Sequence, residues 1–115
     1  MPNKTFEVKS YDLTLGYKNA ATFNGVTIQF QGYVFGKGAA GERLNVYGLH
    51  PSSSVPANAF CNWALKIGNI FVPISLLGQY VDILRNEKPV YATLDSDHPE
   101  WMSFSTGAEQ VGEGE

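Results

Sequence analysis

The chain has 115 residues, enough for one hydrophobic core and too few for two. Hydrophobic residues make up 43% and charged residues only 17%, against roughly 25% in typical soluble domains, which excludes a disordered chain. Eight basic against eleven acidic residues leave a net charge of -3, so there is no basic field to neutralise phosphates and no nucleic-acid partner is expected.

From Thr5 to Leu15 apolar residues alternate but change phase: Phe6 and Val8 share one face, Tyr11, Leu13 and Leu15 the other, which predicts a strand with a bulge near Lys9 and Ser10. Gly25 to Phe35 reads as a half-buried antiparallel strand with Val26, Ile28, Phe30 and Val34 on one side and Thr27, Gln29, Gln31 and Tyr33 on the other. A glycine-rich turn, Gly36 to Gly41, leads to a third strand over Arg43 to Leu49, making a meander. The following segment, His50 to Cys61, holds two prolines and three serines and is long for a structureless loop.

Two readings fit residues 57–67. As a hairpin turning at Gly68-Asn69, the chain would pair Ile67 with Ile70, Leu65 with Val72 and Trp63 with Ile74, placing all six on one buried face. As a helix, Pro56 would open it and Gly68 would end it. The hairpin is favoured. Pro73 fits only an edge or a bulge. Ser75 is expected to cap a helix over about residues 76–86, whose Leu76, Leu77, Tyr80, Val81 and Leu84 recur at three and four. Two final strands, Pro89 to Asp95 and Glu100 to Thr106, flank the turn Ser96-Asp97-His98-Pro99. With Asp95 opposite Glu100, both faces of that hairpin carry aromatic weight, including Tyr91 opposite Phe104. Residues 1–106 thus read as one α+β domain, a curved antiparallel sheet or half-open barrel of six or seven strands with one packed helix, and residues 107–115 as an acidic flexible tail.

Motifs for chemistry are few. Gly36-Lys37-Gly38-Ala39-Ala40-Gly41 matches GxGxxG, but a strand follows it and no βαβ unit surrounds it, so a hairpin loop is the better reading. Cys61, the single cysteine, allows no intramolecular disulfide and points to a reducing compartment. It is expected to be buried and unreactive rather than a nucleophile paired with His98. Asp95, Asp97, His98 and Glu100 crowd one turn, yet lack the spacing of a calcium or zinc site, so no metal and no cofactor is expected. The N-terminus lacks the apolar run of a secretory leader, and no stretch has the roughly 20 apolar residues of a membrane span, which gives a cytoplasmic expectation.

Three segments carry a resemblance: Ile70-Phe71-Val72-Pro73-Ile74-Ser75, the run Ile83-Leu84-Arg85-Asn86-Glu87-Lys88-Pro89-Val90-Tyr91-Ala92, and His98-Pro99-Glu100-Trp101. Over this C-terminal half the chain resembles small bacterial proteins of the kind carried on mobile gene cassettes, which implies a bacterial cytosol and transfers no activity. Aromatic residues reach 13%, more than a core of this size hides, and no catalytic set is visible. The expectation is a non-enzymatic binding module, acting as a homo-oligomer and taking a protein partner or small ligand. The alternative is a small hydrolase or lyase working between the 50–61 loop and the 95–100 turn. For either, Tyr47, His50, Asp95, Asp97, His98 and Trp101 form the expected wall, and an enzyme would need a histidine beside a carboxylate or Cys61 within a pocket.

Overall fold

The computed structural model describes residues 3–56 and 59–106. In chain order the elements are β1 (Asn3–Glu7), β2 (Ser10–Phe23), β3 (Val26–Lys37), β4 (Arg43–Leu49), β5 (Phe60–Asn62), β6 (Ile67–Pro73), α1 (Ile74–Asn86), β7 (Val90–Asp95) and β8 (Ser103–Thr106). They make an α+β fold of two open sheets, β2-β3-β4-β6-β5 and β1-β7-β8, neither closed into a barrel. Every pairing is antiparallel except β4 with β6. The expected tail, residues 107–115, lies outside the described residues.

The phase change near Lys9 marks a change of sheet instead of a bulge. The Val8 amide still donates to the Val90 carbonyl at 2.8 Å, while the next amide, Lys9, donates to Lys37 of the other sheet at 2.8 Å. Phe6 therefore enters the core from β1, and Tyr11 packs against the same core from β2.

The β2–β3 hairpin turns at Asn24-Gly25, both at positive φ (48° and 81°), the two-residue turn that suits right-twisted strands. Its register shifts between Leu15 and Asn19, and β3 shifts against β4 between Phe30 and Gly32. These irregularities separate Val34 from the residues expected beside it. Val34 joins the helix-side core, whereas Val26, Ile28 and Phe30 share the opposite face with Tyr33 and Phe35. In a flat sheet β2 and β6 would lie about 14 Å apart, three strand spacings. Phe23 of β2 nevertheless meets Phe71 of β6 at 5.2 Å and Tyr47 of β4 at 5.3 Å. The distal hairpin curls over the face, and its concave side becomes a second core around Ile28, Tyr47 and Leu49.

The expected turn at Gly68-Asn69 is overturned: both residues run through the middle of β6. The reversal comes earlier, at Trp63–Lys66, where Lys66 takes φ 57° and its amide donates to the Trp63 carbonyl at 3.2 Å. Leu65 consequently points outward, 61% exposed, against the expected burial. Neither does 57–67 form a helix; β5 lies within it and residues 57 and 58 are outside the described residues. Gly68 is required inside the strand because a Cβ there would come within 2.6 Å of Met102 Sδ and 2.9 Å of Leu94 Cδ2.

The helix α1 opens two residues before the expected start. Pro73 ends β6 and occupies the N-cap, with no side-chain cap from Ser75. Leu77, Val81 and Leu84 are its buried stripe, packed mainly on β3 and β4. The last hairpin is also shifted, pairing Ala92 with Phe104 and Thr93 with Ser103, because Pro99–Trp101 coil into a 3-10 turn that consumes the expected first rung. Phe104 therefore joins Val90, Ala92 and Leu94 in the helix-side core, and the aromatic surplus expected on this hairpin sits instead on the concave face of the larger sheet.

Two glycine substitutions should separate these effects. Gly68→Ala is expected to cost about 1 to 3 kcal/mol by overpacking. Gly78→Ala, in an exposed helical position with nothing within 4 Å of the new Cβ, should stabilise by about 0.5 to 1 kcal/mol. Urea midpoints of the two variants check the signs.

Candidate functional site

The six expected wall residues fall into three separate places. Tyr47 is the hub of the concave aromatic cluster, in ring contact with Phe23, Phe30, Tyr33, Phe35 and Phe71 at 5.3 to 6.1 Å. It is 9% exposed, and burial pushes its phenol above the ordinary range, with Arg43 opposing. It is a core residue that keeps its proton.

His50 closes β4. Its amide donates to the Gln29 carbonyl at 2.8 Å, its Nδ1 accepts from the Ser52 amide at 3.0 Å, and Ser52 Oγ stands 2.7 Å from the same nitrogen. Ser53 Oγ accepts from the Gln29 amide at 2.8 Å. Together these bonds lay the 50–54 segment along β3, a local turn in which the imidazole has no carboxylate partner among the described residues. The ring borders an apolar groove of about 330 Å³ with Phe71, Val72 and Ile74.

Asp95 is buried and serves its turn: Oδ1 accepts the amides of Asp97 at 3.0 Å and His98 at 2.9 Å, as a turn-forming aspartate does. Asp97 is exposed. His98 stacks on Trp101 at 3.8 Å with planes 17° apart, and its Nδ1 lies 3.5 Å from Glu100 Oε2. That pair is half-exposed, and Trp101 is 62% exposed. The two loops expected to frame a site do meet, where Pro56 and Ala59 face Pro99, Glu100 and Met102 around a cleft of about 210 Å³. None of the six wall residues lines it. Cys61 is half-buried rather than buried; burial first, and the Asp95 carboxylate after it, hold its thiol above the ordinary range, against the pull of an Asp95 backbone hydrogen bond and of Lys66. Among the described residues no group of three or more His, Cys, Asp or Glu could hold a metal ion, and no helix is long and apolar enough to cross a membrane.

The GxGxxG segment forms the end of β3 and the loop that joins it to antiparallel β4. The residue after it, Glu42, is 5% exposed; its Oε1 accepts the Ala40 amide at 3.0 Å and its Oε2 meets Lys4 Nζ at 2.8 Å. This bond ties β1 of the small sheet to the large one.

A groove of about 600 Å³ lies where the curled hairpin tip approaches β5. Three rings, Phe23, Phe60 and Trp63, and three carboxamides, Asn24, Asn62 and Asn69, line it, and among the described residues no lining side chain is charged at neutral pH. None of these six belongs to the expected wall. The turn signal Asn24-Gly25 marks the tip in sequence, but where the tip lands depends on the register shifts upstream. No family model, no curated protein and no solved structure matches the chain.

The Glu42 carboxyl is held below its ordinary 4.5, first by the Lys4 hydrogen bond and then by the Glu42 and Ala40 amides, against the cost of burial. A depressed carboxylate stabilises the fold above the ordinary value, and that contribution is lost as pH falls through the folded one. Urea midpoints between pH 6 and pH 3 should fall more steeply for the native protein than for Glu42→Gln, which is less stable by about 1 to 3 kcal/mol at neutral pH.

Proposed function

We propose that the protein is a non-enzymatic binding module that holds a small ligand in the groove between the hairpin tip and β5, and that it works as a homodimer. A bacterial cytosol as the setting of that role is part of the proposal, and the resemblance to cassette-borne proteins is what supports it. The observation that carries the reading is the groove itself: stacking surfaces and neutral hydrogen-bonding groups converge there, the composition of a recognition site rather than of an acid–base pair. The alternative of a hydrolase or lyase lacks support from the geometry, since His50 and His98 line neither this groove nor the cleft between the loops, and the Cys61 thiol is held protonated.

Self-association is supported by β2, an edge of the larger sheet. Tyr11, Leu13 and Leu15 share its helix-side face; Leu13 is 37% and Leu15 64% exposed, and Leu76 of the neighbouring helix is 40% exposed. An edge with apolar side chains and free backbone groups is a template for another strand. Antiparallel pairing about a two-fold axis at Leu13 sets Leu13 against Leu13 and Tyr11 against Leu15, all on one face, which makes a second copy the matching partner. Phe104, being core, is not part of that surface.

In nitrogen–proton spectra, neutral ring fragments that bind should move the side-chain amide signals of Asn62 and Asn69; movement confined to the residues around His50 instead would refute the groove as the site. Light scattering should give about twice 12.6 kDa for the native chain and 12.6 kDa for Leu13→Lys, which sets like charges opposite each other. A native mass of 12.6 kDa rejects the dimer.

A further inference from the structure

We infer that the ligand of this groove is an uncharged planar heterocycle bearing ring carbonyl groups. The inference rests on the groove being the binding site and adds the chemical class.

Hydrogen-bond polarity comes first. Asn45, 2% exposed, donates through Nδ2 to Asn69 Oδ1 at 3.0 Å, so the Asn69 oxygen is engaged from behind. The Asn62 oxygen is engaged too, accepting the Leu65 amide at 3.2 Å as it closes the Trp63–Lys66 turn. A carboxamide has two donors on its nitrogen in addition to the oxygen. With each oxygen already accepting one bond inside the protein, what Asn62 and Asn69 chiefly offer a ligand is N–H donors. Their complement is a set of acceptors. A polyhydroxylated sugar presents as many donors as acceptors, and at Asn62 and Asn69 each oxygen has only its second lone pair to offer them.

Shape and charge narrow the class. Phe23 and Phe60 lie nearly parallel, 16° apart in plane with centroids 6.4 Å apart, and Trp63 adds an indole of which Lys66 Nζ, 4.1 Å from the ring centroid, covers one face. Aromatic faces grip flat rings by stacking. Lys66 Nζ also donates to the Trp63 carbonyl at 3.1 Å, which holds the ammonium on the turn, and Lys66 is not among the residues lining the groove. With no charged side chain among the described lining residues, an ionic ligand would give up hydration without a counter-charge in the groove wall. A flat, neutral ring with carbonyl oxygens toward Asn62 and Asn69 meets all three conditions.

The test uses the full chain with Trp101→Phe, which leaves Trp63 as the single tryptophan reporter. Uracil and thymine serve as neutral planar carbonyl probes, cellobiose as the polyol and benzoate as the planar anion. Saturable quenching by uracil and thymine is expected, with cellobiose and benzoate silent. Asn62→Asp and Asn69→Asp keep the internally bonded oxygen and replace the donor with an acceptor, so each should weaken uracil binding by about tenfold or more. Unchanged thermal midpoints in both variants show that the fold is intact. Saturation by cellobiose or benzoate in place of uracil, or Asp variants that bind uracil within twofold of the parent, overturns the class and leaves the groove reading standing. Silence from all four probes overturns the class; if ring fragments also leave the Asn62 and Asn69 amide signals unmoved, the groove reading falls with it.

Discussion

The paired register shifts in the β2–β3 hairpin govern this molecule. A bulge bends a strand and strengthens its twist, and here β2 shifts after Leu15 while β3 shifts after Phe30, so the distal hairpin rolls as one piece across the sheet. Phe23 is carried from one edge strand to the rings of Tyr47 and Phe71, and Ile28 becomes fully buried beneath it. Without the roll, Ile28, Tyr47 and Leu49 would face water on an open sheet. Burying side chains of that size is worth about 1.5 to 3 kcal/mol each, which is ample to hold a bent hairpin in place.

Two cores on opposite faces of one sheet follow from this. On one face α1 and the β1-β7-β8 sheet close over Val34, Leu44 and Val46; on the other the sheet closes over itself. The Glu42–Lys4 pair fastens the two sheets at one corner, and the antiparallel β5–β6 strands with the Trp63–Lys66 turn form another border. The groove is the place where the self-closure stops short. Its rings continue the concave core, as the Phe23–Phe60 and Phe60–Phe71 contacts show, and its carboxamides come from the hairpin turn, the end of β5 and the interior of β6. Core packing and the proposed ligand surface are therefore one continuous feature, and Tyr47 buttresses both.

Elements with clean local signals were legible in the sequence. The helix through Leu77, Val81 and Leu84, the adjacent strands β3 and β4 and the loop between them follow from periodicity and turn chemistry, whereas the expected strand Thr5 to Leu15 joins β1 of one sheet to the first part of β2 of the other and leaves Gly16 to Phe23 unassigned. Registers were not legible. Gly68-Asn69 carries a turn signature, yet Gly68 is there because Met102, Leu94 and Leu44 leave no room for a Cβ, a constraint set by residues distant in sequence. The Pro99–Trp101 turn likewise removes one rung from the last hairpin and moves Phe104 from surface to core. The candidate site was less legible still. Asp95, His98 and Trp101 looked chemical because they are crowded, and that crowding is turn construction and ring stacking. Phe23 lies in a stretch to which the sequence assigns no element, Phe60 in the expected 50–61 loop and Asn69 in the expected turn, and only the long-range curl gathers them.

The curl is most directly tested by proton distances between rings. With Phe23 selectively labelled, nuclear Overhauser contacts are expected from its ring to those of Tyr47, Phe71 and Phe60, whose centroids lie 5.3, 5.2 and 6.4 Å away. A Phe23 ring with contacts only to Val26 across its own turn, and none to Tyr47 or Phe71, would mean an extended hairpin and would contradict the concave core and the groove built on its rim.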